Sequence, residues 1–435
     1  MTREIDCLLI GYTEFSLDYV NERLDKMGIQ IDKVVEPFNP AVAYLGTYLS
    51  RRSFTMDYVN SIKDEEELFR KLTSQKVRTV GISTTLCSKV DTVVRTVKLV
   101  KACCPSVKVI LGGQFIVSLL RNNENDARVL QYFLRTIGAD FYIDSFQGEA
   151  ALVNIVNAVK NGLPWNDISN IYHINGREYV YTGRTEEYGE LEENMVDWRL
   201  FAERLNKVAA VRTAISCPFT CAFCTYPLNT GKHKYVSVEK IEQELDLIEQ
   251  TGKVKIVQFV DDTFNVPLDR FKDIMRMMIR KQYSFKWYSY FRCQYADREA
   301  VELMKKSGCE WTLLGIESGN QEMLNRMNKS VNIDAYKKGI ALLNEYEIAS
   351  FAFFIVGFPG ETLESIRDTI AFIEETKPTF FFADTWFNDP RTPINNYKDK
   401  YGIRGIHNNW SHNTMDALTA QRLTAELFKT VSVVQ

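Results

Sequence analysis

The sequence predicts an α/β protein in which two regions alternate short strands with helices. In residues 1–162, apolar segments such as residues 5–10 are followed by amphipathic patterns such as Pro40–Arg51. A second alternating region begins near Val208, after a polar stretch. Such alternation predicts parallel strands, because a helix returns the chain to the start of the next parallel strand. We therefore predict a doubly wound, Rossmann-like domain followed by a partial barrel of six strand–helix units.

Composition and charge exclude several classes of protein. The chain has 435 residues, of which 45% are hydrophobic and 25% are charged, and its net charge is −3. This charge offers no broad basic surface, so we expect no nucleic-acid partner. The N-terminus lacks the bases and the apolar run of a signal peptide, and the most apolar segment, residues 348–358, is too short to span a bilayer. We predict a cytoplasmic enzyme that does not act at a membrane.

The first domain, residues 1–162, places polar and glycine residues directly after its predicted strands. These strands cover residues 79–83, 108–111 and 141–143. Ligands of doubly wound sheets bind beyond the carboxyl ends of the strands, where glycine lets a ligand approach the backbone. The candidate binding residues at this edge are Thr84, Gly112, Gly113, Gly148 and Glu149.

The remaining chain divides into three predicted segments. Residues 163–205 are polar and rich in turn residues, which predicts a linker with one hairpin. The partial barrel is predicted over residues 206–386, and a short, mainly helical extension over residues 387–435. The expected barrel strands cover residues 209–215, 255–260, 285–291, 311–316, 351–356 and 379–386.

Three of the nine cysteines form a cluster just after the first barrel strand. Nine is an odd and sparse set, which argues against a disulfide-built scaffold. Cys217, Cys221 and Cys224 lie within eight residues and indicate a site for a soft metal. Zinc is one alternative, but it needs a fourth ligand, and the nearest histidine is His233. In a four-iron cluster, three thiolates would leave one iron without a protein ligand.

The spacing Cys-x3-Cys-x2-Cys, with Phe223 just before the third cysteine, resembles the signature of the radical S-adenosylmethionine (SAM) superfamily. The resemblance implies that Cys217, Cys221 and Cys224 hold a 4Fe–4S cluster and that SAM binds at its open iron. It also implies reductive cleavage of SAM to a 5′-deoxyadenosyl radical. The electron would come from an external one-electron reductant of the flavodoxin or ferredoxin type.

Three further segments resemble motifs of this superfamily, in the expected order after the cysteines. Asp261 and Asp262 follow the second predicted barrel strand and resemble an acidic strand-end motif. Glu317 and Ser318 follow the fourth and resemble the segment whose carboxylate binds the ribose hydroxyls of SAM. Gly357 follows the fifth, in a stretch that resembles the one along the adenine. The resemblance also implies that the backbone of Phe223 lies near the adenine.

The first domain resembles the cobalamin-binding domain of one radical SAM subclass, which implies that its strand-end residues contact cobalamin. The motif that supplies an axial histidine is absent, since no histidine precedes His173. Two interpretations therefore stay open, namely a domain that binds cobalamin and a domain that retains the fold as a scaffold. The segment from Trp386 to Asp416 resembles a narrower branch that contains phosphinate P-methylases and maturases of ribosomally made peptides.

Cys293 and His412 are the candidate catalytic residues. Cys293 follows the third predicted barrel strand and is a candidate hydrogen-atom donor to a substrate radical, or else a packed thiol. His412 is a candidate for positioning or deprotonating substrate, or else a structural residue beside Trp410.

The predicted function is radical methyl transfer to a natural product or peptide, with methylcobalamin as the methyl source. One alternative is cobalamin-independent maturation of a peptide by epimerisation at Cα, splicing or cross-linking. The other is a non-catalytic metal scaffold that binds a peptide.

Overall fold

The computed structural model describes residues 3–12, 37–87, 89–187 and 191–431. The chain divides into two compact units, Met1–Val208 and Ala209–Gln435. Each unit contains one large sheet with helices packed against it. This organisation confirms the prediction of an α/β protein with a Rossmann-like first part and a parallel-strand second part.

The first unit contains a seven-stranded sheet with the order β2-β1-β3-β4-β5-β6-β7. Strands β1 to β5 pair in parallel, and β6 and β7 join the edge in antiparallel orientation. The carboxyl ends of the parallel strands therefore meet at one edge of the sheet. The strands are β1 Glu4–Ile10, β2 Met56–Val59, β3 Lys76–Ser83, β4 Lys108–Gly112, β5 Phe141–Ile143, β6 Ile171–Asn175 and β7 Glu178–Tyr181.

Helices of the first unit bury one apolar face against the sheet. They are α1 Pro40–Arg51, α2 Glu65–Ser74, α3 Val90–Cys103, α4 Gln114–Asn122, α5 Ala127–Ile137 and α6 Glu149–Asn161. Helix α1 begins at Asn39, whose side chain accepts hydrogen bonds from the amides of Ala41 and Val42. Helix α5 ends at Gly138, which adopts a left-handed conformation. The core includes Leu8 and Val80, which are fully buried.

Residues 163–205 differ from the predicted linker. Their hairpin, β6 and β7, extends the first sheet, because β6 pairs with the edge strand β5. Asp144, at the end of β5, is 1% exposed and accepts hydrogen bonds from Tyr181 and from the guanidinium groups of Arg121 and Arg184. A buried carboxylate with three charged or polar donors holds the hairpin against the sheet. The segment therefore belongs to the first unit.

The second unit contains a six-stranded sheet with the order β15-β14-β13-β12-β11-β8, as the partial barrel requires. Strands β11 to β15 pair in parallel. The six strands are β8 Val208–Val211, β11 Ile256–Phe259, β12 Lys286–Tyr290, β13 Cys309–Glu317, β14 Ala349–Val356 and β15 Phe380–Thr385. A separate two-stranded sheet pairs β9 Ala214–Ile215 with β10 Lys234–Tyr235.

Amphipathic helices cover the outer face of the barrel strands. Trp287 of β12 is fully buried and packs edge-on against Phe271. Helix α13 begins with a capping box in which the side chains of Thr362 and Ser365 bond to each other's backbone amides. The helices are α7 Tyr226–Thr230, α8 Val238–Gln250, α9 Leu268–Lys281, α10 Arg298–Lys306, α11 Gln321–Arg326, α12 Ile333–Glu345 and α13 Leu363–Thr376.

The C-terminal extension is less helical than predicted. It contains the short helix α14 Lys398–Tyr401 and a three-stranded antiparallel sheet of β16 Arg404–Ile406, β17 Asn409–His412 and β18 Met415–Asp416. Helix α15 Ala417–Thr430 follows and packs against β15, where Phe428 stacks on Phe381. Strands of two to four residues carry almost no periodic signal, so the sequence pattern did not reveal this sheet. No helix within the described ranges combines the length and apolarity needed to cross a membrane.

Candidate active site at the carboxyl end of the barrel

The loop between β9 and α7 brings Cys217, Cys221 and Cys224 to the carboxyl end of the first barrel strands. Cys221 is 6% exposed, and the other two thiols are partly exposed. Ser216, just before the loop, has a φ of 68°, a left-handed conformation that is uncommon for a non-glycine residue. Its hydroxyl donates a hydrogen bond to the carbonyl of Gly231, which holds this turn in place.

Arg292 places a cation beside the cysteine loop. Its Nη2 lies 3.6 Å from the Sγ of Cys221, and its guanidinium stacks 3.5 Å from the centre of the Phe219 ring. Burial raises the pKa of the Cys217 thiol, and Arg292 opposes this rise. Burial also raises the pKa of Cys224, to about 11. Only thiolates bind metal, so the nearby cation favours the form that a metal needs.

Asp261 anchors the chain that leads into the cysteine loop. It is 4% exposed, and its Oδ1 accepts hydrogen bonds from the amides of Thr213 and Ala214 at 2.7 and 2.9 Å. Its Oδ2 accepts a bond from the hydroxyl of Thr213. Burial raises the pKa of Asp261, although these bonds oppose the rise. Both oxygens are engaged by the protein, which gives Asp261 a positioning role in place of the predicted cofactor contact.

We expect Asp261→Asn to destabilise the loop, because an amide nitrogen cannot accept the bonds that Oδ2 or Oδ1 now accepts. The loss of a buried hydrogen bond to a charged group costs about 1.5–3 kcal/mol. Urea unfolding of the full chain should reveal this loss, and reconstituted iron content should fall with it. The control is Asp269→Asn on the exposed surface of α9, which should change neither. Unchanged stability and iron content in Asp261→Asn would contradict the positioning role.

Asp262 is exposed, in contrast to the buried Asp261 beside it. Its carboxylate forms a hydrogen bond with the side chain of Tyr226, in the helix that follows the cysteines. Surrounding protein and the nearby Asp261 raise the pKa of Asp262 to about 6. A side chain that is open to water and yet surrounded by protein lies in a recess of the surface. Asp262 therefore remains a candidate ligand-binding residue.

Glu317 forms a buried ion pair that the sequence did not reveal. Its Oε1 lies 2.9 Å from the Nζ of Lys329, and the two side chains are only 12% and 7% exposed. Glu317 has a φ of 69°, and the pairing of β13 with β14 shifts register between Gly315 and Glu317. This bulge re-aims the side chain at the strand end, as bulges near active sites commonly do.

The turn of residues 327–330 joins the Glu317 region to the cysteine loop. The carbonyl of Met327 accepts a hydrogen bond from the amide of Ala222 at 2.8 Å. The amide group of Asn328 donates to the carbonyl and hydroxyl oxygens of Thr220 at 2.8 and 3.0 Å. Lys329, the next residue, reaches Glu317 and lies 5.5 Å from the centre of the Phe223 ring. One turn thus fixes the cysteine loop and the candidate ribose-binding carboxylate together.

Gly357 lies where the strand β14 meets the C-terminal extension. Its φ is 88°, and a Cβ atom there would stand 2.6 Å from the Trp410 ring, so only glycine fits. Its carbonyl oxygen lies 3.0 Å from Nε2 of His412, whose ring stacks on Trp410. The other ring nitrogen of His412 contacts Thr414, and burial lowers the pKa of this histidine. Both ring nitrogens have partners, which favours the structural alternative for His412 over the catalytic one.

Glu361 is a buried carboxylate that the sequence analysis did not single out. It is 1% exposed and accepts hydrogen bonds from the amides of Gly357 and Phe358. Burial nevertheless raises its pKa from 4.5 to about 8. The folded protein therefore prefers the protonated carboxyl, and the stability that this proton contributes is lost as the pH rises toward 8.

We expect the free energy of unfolding to fall between pH 5 and pH 8 because Glu361 ionises in the unfolded chain at a lower pH. One pKa unit corresponds to 1.36 kcal/mol, so the loss is on the order of 3 kcal/mol. Urea unfolding at several pH values measures it, with Glu361→Gln as the comparison because that variant lacks the titrating group. If both proteins show the same pH dependence, Glu361 does not titrate in this range.

The other predicted residues of the barrel have structural neighbours. Ser318 is 1% exposed, and its hydroxyl accepts a hydrogen bond from the amide of Asn320. The Phe223 ring stands edge-on to Phe358 at 6.4 Å, which brings two of the resemblance segments together. Cys293 is 1% exposed and packs closely against Gly339 of α12, and burial raises its pKa to about 12. This position favours a packed thiol.

In the first unit, the predicted cofactor residues gather at the carboxyl edge of the sheet, but some serve the fold. Thr84 is fully buried and donates a hydrogen bond to the carbonyl of Gly112 at 2.8 Å. A Cβ on Gly113 would stand 2.7 Å from the amide nitrogen of Thr85, so the chain itself requires this glycine. Gly148 precedes α6, whose first residue, Glu149, is 7% exposed. The close contact with Thr85 therefore explains the glycine at position 113 without a ligand.

A cleft of about 490 Å³ lies beside the C-terminal extension. It contains none of the predicted site residues, although Arg326 on its wall donates a hydrogen bond to the carbonyl of Gly360. Its lining consists of Glu322, Asn325, Arg326, Gly360, Lys400, Tyr401, Asn413 and Thr414. The chemistry-bearing side chains thus lie outside this cleft, around the cysteine loop.

The cysteine loop lies within a segment that matches a known protein family. Residues 212–373 match the model of the radical SAM superfamily, and this range contains the three cysteines and Glu317. The chain carries a radical SAM domain. Such a domain uses a 4Fe–4S cluster and SAM, as the resemblance of the cysteine spacing implied.

Curated proteins with similar sequences include methyltransferases and a cyclase. An uncharacterized methyltransferase of Pyrococcus horikoshii is 29% identical over 38% of this chain and 36% of its own length. The anaerobic magnesium-protoporphyrin IX monomethyl ester cyclase of Rubrivivax gelatinosus is 24% identical over 78% of this chain and 62% of its own. The bacteriochlorophyllide d C-12(1)-methyltransferase of Chlorobaculum tepidum is 27% identical over 48% of this chain and 46% of its own length. The chain thus spans less than two thirds of each of these relatives.

Two solved structures share the fold of nearly the whole chain. One is the radical SAM methyltransferase TsrM from Kitasatospora setae, with cobalamin and a 4Fe–4S cluster bound. Its TM-score is 0.70 at 16% identity, and the match covers 91% of this chain and 77% of the TsrM chain. The cobalamin-dependent radical SAM enzyme OxsB has a TM-score of 0.67 and 16% identity. The match covers 100% of this chain and 58% of the OxsB chain. These similarities confirm the two-part fold that the sequence predicted.

The donors around the cysteine loop fit the cluster of a radical SAM domain. Within the described ranges, no three His, Cys, Asp or Glu side chains converge closely enough for a single metal ion. A cubane cluster does not need such convergence, because its thiolate ligands bind different irons. In addition, Nη1 of Arg292 is buried without a hydrogen-bond partner, beside Cys221. An unpartnered guanidinium nitrogen suits an anionic, thiolate-ligated group at this position.

Proposed function

We propose that this protein is a cobalamin-dependent radical SAM methyltransferase that acts on a small molecule. The observation that carries the proposal is the three-cysteine loop, tied by the turn of residues 327–330 to Glu317 within a radical SAM domain. The Rossmann-like first unit and the similar fold of TsrM and OxsB support the cobalamin part. The similar methyltransferases support the outcome of the reaction.

In this proposal, Cys217, Cys221 and Cys224 hold the cluster, which supplies the electron that splits SAM into methionine and a 5′-deoxyadenosyl radical. Arg292 keeps the thiols in an electropositive setting. The electron comes from a reductant of the flavodoxin or ferredoxin type. A cytoplasmic location suits this chemistry, because thiols there stay reduced.

The residues that would hold SAM are Glu317, Asp262, Gly357 and Phe223. A carboxylate such as Glu317 accepts two hydrogen bonds from a ribose diol, and the ion pair with Lys329 orients it. The exposed carboxylate of Asp262 suits the cationic end of SAM. Gly357 would meet the ligand only through its backbone, because Trp410 occupies the space where its Cβ would stand. Phe223 provides an apolar neighbour. These residues would orient SAM and exclude water from a reactive radical.

Cobalamin would bind at the carboxyl edge of the first sheet, where it supplies the methyl group. Gly112 ends β4 at this edge and is partly exposed, which leaves its backbone accessible to a ligand. His173, the first histidine of the chain, is 5% exposed in the added hairpin and is occupied by a backbone contact. The proposal therefore involves a corrin without an axial histidine from this unit.

Peptide epimerisation has weaker support, because it needs a hydrogen donor in the barrel. The candidate donor, Cys293, is 1% exposed and packs against Gly339 of α12. Modification of a peptide by splicing or cross-linking has no specific side chain in its favour. Methyl transfer to a small molecule is thus the better-supported outcome.

The test is anaerobic reconstitution of the full chain with iron, sulfide and hydroxocobalamin, followed by reduction in the presence of SAM. The proposal expects about four irons per chain, a tightly bound corrin after desalting, and formation of 5′-deoxyadenosine or S-adenosylhomocysteine. A chain that retains no corrin while forming 5′-deoxyadenosine would overturn the cobalamin part alone. A chain that forms neither SAM product would overturn the proposal as a whole.

A further inference from the structure

The inner face of the barrel strands is accessible, whereas their outer face is buried. On β14, the outward residue Phe354 is 2% exposed and packs against Phe372 of α13. The alternate residues of this strand, including Phe351 and Phe353, are partly exposed. Since successive side chains point to opposite faces, the partly exposed set faces the interior. The interior of a closed barrel is a packed core. The interior of this six-stranded barrel contains free space.

Tyr290 also borders this accessible space. On β12, Trp287 and Ser289 face the helices and are fully buried, so Tyr288 and Tyr290 face the interior. Tyr290 is 41% exposed. Burial among surrounding protein nevertheless raises the pKa of its hydroxyl. Both observations hold for a side chain on the wall of a cavity that is open to water.

The wall of this cavity is aromatic. At the amino ends of the strands, Tyr288 stacks on Trp311 at 4.4 Å and Phe351 stacks on Phe380 at 4.5 Å, so two stacked pairs line the floor of the interior. Above the floor, Phe353 and Phe382 are 6.3 Å apart and edge-on, and Phe382 is 42% exposed. Phe382 also lies 6.2 Å from the ring of Phe428, edge-on, and the exposed part of its ring is available to stack on a flat ligand.

A carboxylate stands at the rim of the same wall. Asp384 follows Phe382 by two residues and therefore lies on the same face of β15, opposite Ile355 of β14. It is exposed, and its Oδ1 accepts a hydrogen bond from the amide of the next residue, Thr385. Among the described residues, no cation forms an ion pair with it. By contrast, the nearby carboxylate of Glu317 is neutralised by Lys329.

From these observations we infer that the barrel interior binds a flat, conjugated substrate that carries a cationic group. Its ring system lies against Tyr290, Phe353 and Phe382, and its cation pairs with Asp384. Aromatic walls favour conjugated rings over saturated ones, and the rim carboxylate favours a cation over an anion. This inference rests on the proposed function, because it identifies the class of molecule that accepts the methyl group.

The test is a binding experiment that does not depend on turnover. Equilibrium dialysis of the full chain compares 2-(aminomethyl)naphthalene with 2-naphthoate and with 2-(aminomethyl)decahydronaphthalene. The aromatic amine should bind at least about 10-fold more tightly than either, since the acid lacks the cation and the saturated amine lacks the rings. Asp384→Asn should reduce amine binding to the level of the acid. Phe353→Leu combined with Phe382→Leu should weaken both naphthalenes about equally.

Controls separate this site from other effects. Tyr132→Leu removes a 67% exposed ring of the first unit and should change no affinity. Circular dichroism checks that each variant is folded. Saturating SAM, added to the reconstituted protein, should leave amine binding intact. Displacement by SAM, equal binding of the acid and the amine, or equal binding of the saturated amine would each overturn the inference. A protein that cleaves SAM but does not bind 2-(aminomethyl)naphthalene overturns only this inference and leaves the proposed function standing.

Discussion

Cys221→Ala protein is expected to lose most of its reconstituted iron and to form 5′-deoxyadenosine at least about 100-fold more slowly than the unchanged protein. Loss of an outer partner of a metal site already costs 10–100-fold, and a direct ligand contributes more. Cys221 is the most buried of the three thiols and is the one that Arg292 contacts. Iron analysis and chromatography of the SAM products measure the two effects.

The matched control is Cys103→Ala, which removes a partly buried thiol of α3 in the first unit. It should retain both the iron and the SAM products. Normal iron content in Cys221→Ala would contradict the assignment of the cluster to this loop. Loss of iron in both variants would mean that the loss does not depend on Cys221. The experiment would then contradict the assignment of the cluster to this loop.

Lys329→Met is expected to lower the free energy of unfolding by about 3–5 kcal/mol, because it leaves the buried carboxylate of Glu317 without its partner. The pair is 2.9 Å long and at most 12% exposed, so water cannot replace the lost cation. The double variant Glu317→Gln with Lys329→Met should recover much of the loss, since no buried charge remains. Urea unfolding of the four proteins gives the coupling energy.

Lys337→Met serves as the control, since Lys337 pairs with Glu375 at 2.7 Å but the two side chains are 35% and 58% exposed. Exposed pairs contribute about 0–1 kcal/mol, so this variant should remain almost as stable as the unchanged protein. Equal destabilisation by both substitutions would show that Lys329 does not act through a buried charge. Affinity for SAM should fall in Lys329→Met and stay unchanged in Lys337→Met.

Strong local patterns allowed the fold and the cysteine site to be predicted from the sequence. Helix α1 begins and ends at the predicted residues, because Asn39 and Pro40 mark its start and apolar residues repeat at helical spacing. The six barrel strands were all predicted, since each is an apolar run bounded by turns. The cysteine spacing was equally local, with all three thiols inside eight residues.

What the sequence did not reveal depends on contacts between distant residues. The partner of Glu317 is twelve positions away, and only the bulge at the strand end and the turn of residues 327–330 bring Lys329 to it. Asp261 belongs to a predicted motif, but its bonds to Thr213 and Ala214 follow from the neighbouring positions of β8 and β11 in the sheet. The roles of His412 and Gly113 were also set by tertiary neighbours, which a linear pattern does not contain.

The turn of residues 327–330 also limits how this protein can change in evolution. Its backbone and side chains set the spacing between the cysteine loop and Glu317 through bonds at three consecutive positions, Met327, Asn328 and Lys329. Asn328 and Ser330 both adopt left-handed backbone angles there, with φ of 51° and 54°. An insertion or deletion in this short segment would shift both partners at once. Homologous chains should therefore vary in the amino acids of this turn far more readily than in its length.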